Sequence, residues 1–357
     1  MMEDDVASDS SAPQPDYLSD LPDEMLEYIG SFLSDESKSQ WSLTSKSMYP
    51  FFKAERDNFQ KIINRLLTHA LQGEQNEIEE IIKANPWDSR WLFYRGTATD
   101  FSGRIYEKVT LFQTALLTHN VNLVKIIEPY FDKLPNEAEE KARQFNKAFP
   151  NGFPDQTSYD FSTLIQVITT SSDDNILDAL EKKQNNTRIC EALNIFRKEF
   201  TDLSMKEKYF NPQHLIEAFN VYNQQFIPWS FNQLSLFWCQ IIGYIQRYLP
   251  AYYAQVFCQR LDSLVEEKKS FTRSLTFEND SKVFYPLSSS SSGLGFDYAI
   301  FDGELVYITY PYVHLGFEKL CRANTTELLK LQCGAQCLGQ PVTDGDTLTS
   351  RSCCTIS

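Results

Sequence analysis

Cysteine and histidine are the residue types in this chain whose chemistry depends most on spacing. His314, Cys321, Cys333 and Cys337 offer the nitrogen and sulfur ligands that zinc prefers. Six, eleven and three residues separate them in turn, which fits no common zinc finger. Ordinary reduced thiols on a helix are the better interpretation, so we predict no metal ion and no cofactor.

The last four residues, Cys354-Thr355-Ile356-Ser357, indicate a different chemistry. They fit the C-a-a-X prenylation box, in which a terminal serine favours attachment of farnesyl to the cysteine. A single lipid chain binds membranes only marginally, so a second signal is expected. Because Arg351 is the only basic residue nearby, Cys353 is the natural candidate for palmitoylation. The alternative is a terminal cysteine pair that is not modified.

Signatures of catalysis are missing from the sequence. It has no Gly-x-Ser-x-Gly elbow, no phosphate-binding glycine loop and no His-Glu-x-x-His pair. The four histidines are scattered. We therefore expect no enzyme activity from this chain, although a ubiquitin-ligase cysteine leaves too little local pattern to be found in this way.

Composition restricts the class of protein. A chain of 357 residues suffices for two or three domains. Its net charge of −15 disfavours binding to nucleic acid or to an anionic lipid surface. The sequence contains no membrane-spanning apolar run and no secretory signal. Eight cysteines spread over so long a chain predict a reducing, cytosolic compartment.

Two apolar patterns near the amino terminus predict helices that need a neighbour. From Leu21 to Leu33, large apolar residues recur at helical spacing and form one wide stripe. A second run from Trp41 to Phe52 predicts another short helix, broken at Pro50. These two short helices contain too few residues to bury their apolar side chains against each other. The rest of the chain or another protein must therefore cover them.

This stretch resembles an F-box, the motif that docks on the Skp adaptor of cullin–RING ubiquitin ligases. Leu21-Pro22-Asp23-Glu24 matches the family's Leu-Pro-x-Glu, and Leu43-Thr44-Ser45-Lys46 with Tyr49 matches its closing segment. Residues 34–39 depart from the family pattern, which removes two apolar contacts. The resemblance implies an adaptor-binding set of Leu21, Pro22, Glu24, Met25, Leu26, Ile29, Phe32, Leu33, Trp41, Leu43, Ser45 and Tyr49. The alternative is an amphipathic helical hairpin packed on its own chain.

Residues 58–134 contain two copies of a helical pattern at an offset of 45. The aligned pairs are Ala70 with Ala115, Ile78 with Leu123, Ile81 with Ile126 and Ile82 with Ile127. The copies resemble ankyrin repeats, whose hallmark Thr-Pro-Leu-His-x-Ala is degraded here at residues 110–115. Residues 94–106 between them predict a β-hairpin finger. Two copies are too few for a solenoid, so flanking helices must cap them; the alternative is a generic helical bundle.

The expected fold is mainly α, with small β-hairpins. In order, we predict a disordered acidic leader (1–16), an F-box of three short helices (17–57), ankyrin-like repeats (58–134), a helical carboxy-terminal domain (135–338) and a flexible tail (339–357). That domain is predicted to contain helices at 161–171, 174–200, 211–225, 230–247, 251–268 and 316–332, and a β-hairpin near 296–310. The aromatic side chains between Trp229 and Phe257 are expected to be mainly core.

Together these motifs resemble the F-box effectors that intracellular bacteria inject into host cells, although a eukaryotic F-box protein has the same motifs. The resemblance implies a receptor that binds the Skp-type adaptor, holds an unknown target and is placed by its lipid at the cytoplasmic face of a eukaryotic membrane. A prenyltransferase would be a further partner. Two alternatives stay open: a membrane-tethered ankyrin-type scaffold without ligase recruitment, and an enzyme of unrecognised type in residues 135–338.

Overall fold

The computed structural model describes residues 21–33, 37, 38, 40, 48–84, 89–181, 186–258, 273–276 and 306–338. The chain divides into two compact units, Met1–Ile62 and Ile63–Ser357. The position near residue 134 at which the sequence suggested a domain boundary therefore lies inside the second unit. Among the described residues, no helix is both long and apolar enough to cross a bilayer.

Helices dominate the described residues and a small antiparallel hairpin accompanies them, which confirms the predicted fold class. The first unit contains α1 (Asp23–Ser31), and α2 (Met48–Gln72) passes from the first unit into the second. The later elements are α3 (Gln75–Ala84), a 3-10 turn (Ser89–Leu92), β1 (Gly96–Thr99), β2 (Ile105–Val109), α4 (Leu111–Leu117), α5 (Val121–Phe131), α6 (Glu137–Ala148), α7 (Ser162–Thr170), α8 (Asp173–Leu180), α9 (Arg188–Lys206), α10 (Gln213–Gln225), α11 (Phe231–Phe237), a π-helical turn (Trp238–Ile242), α12 (Gly243–Gln246), α13 (Ala251–Cys258) and α14 (Val306–Leu338).

The two predicted copies are present as helix–turn–helix pairs, the end of α2 with α3 and α4 with α5. Burial follows the offset of 45, because the first, second and fourth aligned pairs are buried and Ile81 and Ile126 are both half-buried. Each turn contains one residue in the left-handed conformation, Gly73 (φ 74°) and His119 (φ 53°). Helix α6 packs against α4 and α5, as expected of a flanking helix that caps the repeats.

The predicted finger is confirmed, with β1 and β2 paired antiparallel. Asp100 closes its turn, because Oδ1 accepts hydrogen bonds from the amides of Ser102 (2.9 Å) and Arg104 (3.0 Å). Gly96 lets β1 lie close to α2: a Cβ atom there would be 2.8 Å from Leu67 Cδ1. The finger is therefore seated directly on the last turns of α2.

Gln144 of α6 joins the repeat pair to the 3-10 turn. Its Nε2 donates to the Leu92 carbonyl (2.8 Å), and its Oε1 accepts from Thr110 Oγ1 (2.5 Å). Thr110 also begins α4 through a capping box with Gln113, whose Nε2 donates to the Gln144 carbonyl (3.1 Å). The polar residues of the degraded hallmark thus form a buried cap in which each group has a partner, which offsets the desolvation that burial requires.

Helices α7 to α14 enclose an apolar cluster of buried side chains in the second unit. Phe317 of α14 reaches this cluster, with its ring centroid 5.3 Å from Phe257 and 5.8 Å from Tyr253. Most aromatic side chains between Trp229 and Phe257 are buried there, as predicted, and Phe231 is the exposed exception within that set. Large aromatic side chains remove much apolar area from water when they are buried, so they contribute strongly to the stability of the folded unit.

One strand prediction is wrong. In the hairpin predicted near 296–310, residues 304–310 were expected to form the second strand. Val306 to Tyr310 are instead helical and begin α14, while residues 296–305 lie outside the described residues. A short run of β-branched and aromatic residues satisfies a strand pattern and a helix pattern equally, so periodicity alone cannot decide between them. Three helix predictions also change in extent. The segment 174–200 divides into α8 and α9, 230–247 contains the π-helical turn, and 316–332 is part of the longer helix α14.

Candidate functional site

The helix that carries the predicted adaptor-binding residues begins at the Leu-Pro-x-Glu motif. Pro22 stands at the N-cap, and its carbonyl accepts the first helical hydrogen bonds from the amides of Met25 (2.9 Å) and Leu26 (3.1 Å). Proline suits the start of a helix because it has no amide hydrogen to leave unpaired. The motif therefore sets where α1 starts and, with it, the direction of each side chain that follows.

The apolar stripe of α1 is divided between a covered face and an exposed face. Leu26 is 4% exposed, whereas Met25, Tyr28 and Phe32 are 51%, 68% and 71% exposed. Residues 25, 28 and 32 are spaced by three and four positions, so they form one continuous face of the helix. We call Met25, Tyr28 and Phe32 the exposed α1 face.

Two residues of this helix lie differently from what the sequence suggested. Leu26, predicted to contact the adaptor, is buried within the chain, because helical periodicity shows that a side chain belongs to a stripe without showing which edge of the stripe is covered. Its contact with the adaptor stays a prediction. Tyr28 was not predicted to be part of the site, yet it lies between Met25 and Phe32 on the exposed α1 face. Its spacing, three residues after Met25 and four before Phe32, was the signal that would have found it.

The other predicted adaptor-binding residues differ in their exposure and in whether the structure describes them. Pro22 is exposed and Leu21, Ile29 and Leu33 are half-buried beside the covered face. Glu24 and Tyr49 belong to α1 and α2, with side chains that are not among those described. Trp41, Leu43, Ser45, Cys353 and Cys354 lie outside the described residues.

The finger offers a second apolar surface, in the second unit. Phe101 and Ile105 at its tip are exposed, and so is Met205 near the end of α9. Met205 Cε would be 4.0 Å from a Cβ atom at Gly103, so the tip and the end of α9 adjoin.

A buried polar network fixes the finger to α9. The Arg104 guanidinium donates to the Ser204 carbonyl from Nε (3.2 Å) and Nη2 (2.9 Å), and to the Tyr106 hydroxyl from Nη1 (3.3 Å). The hydroxyl in turn donates to Asp100 Oδ2 (3.4 Å). Burial raises the pKa of Tyr106 to about 12, so the hydroxyl stays a donor at neutral pH.

A small cavity of about 20 Å³ lies beside this network, with room for about one water molecule. His214 lines it and its Nε2 is 3.1 Å from Glu207 Oε1, a geometry that orients the imidazole. Within the described part of the chain, the buried Nδ1 of His214 has no hydrogen-bond partner, so this nitrogen engages no described hydroxyl or thiol nucleophile. We interpret the pair as a structural junction between the end of α9 and the start of α10.

No set of three His, Cys, Asp or Glu side chains is arranged to hold a metal ion within the part of the chain that the structure describes. Of the four residues considered for zinc, Cys321 is buried in the apolar cluster of the second unit. Burial raises the pKa of its thiol well above the usual value, which keeps the sulfur protonated and unreactive.

Comparison with known proteins shows that part of the second unit is similar to a protein family. Residues 214–332, from α10 into α14, match the profile of a family described as the CBUA0006 C-terminal domain. A protein of Coxiella burnetii, described as uncharacterized protein CBUA0006, is 23% identical over 252 residues, which cover 68% of this chain. The chain spans 64% of the length of that relative. No solved structure matches this chain. The exposed α1 face lies outside the segment that the family profile covers.

Proposed function

We propose that this protein is an F-box substrate receptor, which docks on the Skp-type adaptor of a cullin–RING (SCF) ubiquitin ligase and presents a bound target for ubiquitination. The observation that carries the proposal is the exposed α1 face on a helix that starts at Leu21-Pro22-Asp23-Glu24. Large apolar side chains left in water each forgo roughly 1.5–3 kcal/mol of burial free energy. Aromatic residues such as Tyr28 are also frequent hot spots of interfaces.

The rest of the chain would hold the target. The finger has exposed apolar side chains at its tip and a base fixed by the Arg104 network, so little conformational entropy is lost when a partner covers it. Ubiquitin transfer would come from the recruited ligase machinery, because a receptor accelerates the reaction by holding target and ubiquitin-loaded enzyme together. In this proposal the chain supplies no catalytic group.

The remaining parts of the proposal concern location and origin. Farnesyl on Cys354, with palmitate on Cys353, would hold a chain that ends at Ser357 at the cytoplasmic face of a eukaryotic membrane. The likeness to a protein of Coxiella burnetii supports a bacterial origin, and the effector role is part of the proposal. Cullin–RING ligases and prenyltransferases are eukaryotic, so such an effector would act in a host cell.

Adaptor capture tests the proposal. Purified chain is passed over an immobilised Skp-type adaptor as wild type, as Tyr28→Ser/Phe32→Ser, and as Ile195→Ser. Ile195 is a matched control because it is an exposed aliphatic residue on α9 of the second unit. We expect wild type and control to bind and the double variant to lose at least about tenfold in affinity. Absence of wild-type binding, or equal binding by all three proteins, contradicts the receptor role.

One observation favours a second candidate, the tethered scaffold. Leu26 and Gly30 are buried, so part of α1 already serves the protein's own packing. In a scaffold, the F-box-like helices would be structural, and adaptor capture would give no binding for any variant. The same experiment therefore separates the two functions.

A further inference from the structure

The turn between α10 and α11 exposes an unusual amount of apolar surface. Ile227 is 92% exposed, and Phe231 at the start of α11 is more than half exposed. Leu177 on the neighbouring helix α8 is also exposed, and α8 packs along α11. We call Leu177, Ile227 and Phe231 the Ile227 surface. Exposed apolar groups of this kind, when surrounded by polar residues, are typical of docking sites.

The backbone that carries Ile227 is firmly held. Trp229 is buried and its Nε1 donates to Thr169 Oγ1 of α7 (2.9 Å). Gln233 completes a capping box with Ser230 and its Nε2 donates to the Ile168 carbonyl (2.9 Å). A side chain presented from such a fixed turn loses little backbone entropy on binding, which is what an interface anchor requires.

Carboxylates border the Ile227 surface. Ser230 Oγ donates to Asp173 Oδ1 (3.4 Å), which places the start of α8 beside the start of α11. Asp173 and Leu177 are four residues apart and share one face of α8. Segments 171–181 and 225–237 contain no lysine or arginine, and Asp173 and Asp174 are exposed at the start of α8. Asp178 and Glu181, further along α8 and at its end, have interactions of their own. Lys182 and Lys183 follow outside the described residues. The rim of this surface is therefore acidic where α8 begins.

We propose that the Ile227 surface binds a basic peptide segment of a partner protein, with lysine or arginine facing the carboxylates and large apolar side chains covering Ile227 and Phe231. The acidic rim disfavours anionic lipid and nucleic acid, both of which need a cationic surface. This inference rests on the proposed function, in which the segment belongs to the target. It therefore restricts the target class to proteins that expose a basic and apolar segment.

Selection of binders to the full-length chain from a library of displayed random peptides tests the inference. We expect the enriched peptides to combine lysine or arginine with large apolar residues. The binding of one such peptide, followed by fluorescence anisotropy, should weaken about tenfold for Ile227→Ser and for Asp173→Asn/Asp174→Asn. Ile195→Ser and Asp202→Asn, at exposed positions of α9, are the matched controls and should bind as wild type does. Raising the salt from about 0.1 M to about 0.5 M should also weaken binding.

Three outcomes overturn the inference: no enrichment, enrichment of acidic or uncharged peptides, or peptide binding that the Ile227 and aspartate variants leave unchanged. Ile227 is almost fully exposed, so its replacement by serine should leave folding intact, and an unchanged melting curve verifies this. Tyr28→Ser/Phe32→Ser is expected to retain peptide binding. Failure at the Ile227 surface is thereby distinguished from failure of adaptor docking.

Discussion

Arg104 and Ser204 lie a hundred residues apart in sequence, and the guanidinium of one donates two hydrogen bonds to the carbonyl of the other. The contact joins the turn of the β-finger to the last turn of α9. The Ser204 carbonyl is one of the last four of the helix, which have no amide partner inside it, so the arginine acts as a cap supplied from a distant element. The finger is therefore held by a buried charge rather than by its two short strands alone.

Replacing Arg104 by methionine should destabilise the second unit by about 2–4 kcal/mol, because the Ser204 carbonyl and the Tyr106 hydroxyl would lose a buried donor. Arg322→Met is the matched control, since Arg322 is exposed and pairs with Glu318 one turn away. Its effect should stay within about 0.5 kcal/mol. Urea unfolding measures both, and equal effects would show that the Arg104 network does not hold the finger.

The division of α1 into two faces predicts opposite behaviour for two neighbouring positions. Leu26→Ala should cost about 2–5 kcal/mol in the unfolding free energy of the first unit, because it empties a buried site. Phe32→Ala should change stability by less than about 0.5 kcal/mol and instead weaken adaptor binding. Thermal unfolding and adaptor capture of both variants give the comparison. A large loss of stability in Phe32→Ala would mean that the exposed α1 face is covered in solution.

The small alanines of the repeat predict sensitivity to added volume. Ala115 of α4 is fully buried, so Ala115→Leu should destabilise the protein by about 1–3 kcal/mol through overpacking. Ala138→Leu introduces the same side chain at an exposed position of α6 and should be nearly neutral. Chemical unfolding distinguishes them. Similar effects at both positions would indicate that the two helices of the pair do not approach closely at Ala115.

His119 predicts a pH dependence of stability. Burial lowers its pKa to about 3, below the value of about 6.5 expected in the unfolded chain. Between these values the unfolded chain binds a proton that the folded protein does not, so stability is complete above about pH 6.5 and falls as the pH decreases. The contribution of this residue reaches at most about 1.4 kcal/mol per pH unit.

His119→Asn tests this dependence, because asparagine does not titrate and tolerates the left-handed backbone at this position. Urea unfolding of both proteins between about pH 7.5 and about pH 5 should give a shallower loss of stability for the variant. Parallel pH profiles would mean that the imidazole can reach solvent when it is protonated.

The repeat shows how much of the fold a sequence pattern can predict. Its aliphatic and alanine positions recur at helical spacing, and helix formation with burial of the recurring face is a local consequence of that spacing. The β-finger could be predicted for a similar reason, because turn residues between two β-prone runs specify a hairpin and fix its turn to within a few residues. Val306 to Tyr310 mark the limit, because a run that short fits a helix or a strand equally well.

What the sequence determined by itself was therefore local: the mainly helical class, the paired repeats, the finger, and the start of α1 at Leu21-Pro22-Asp23-Glu24. The tertiary structure decided which edge of α1 is covered, that the His119 ring is enclosed with no hydrogen-bond partner among the described residues, and that Arg104 meets Ser204. The physical reason is the distance along the sequence over which each interaction acts. Helix and turn preferences act over a few residues, whereas the burial and pairing of a side chain depend on residues that folding brings from distant parts of the chain.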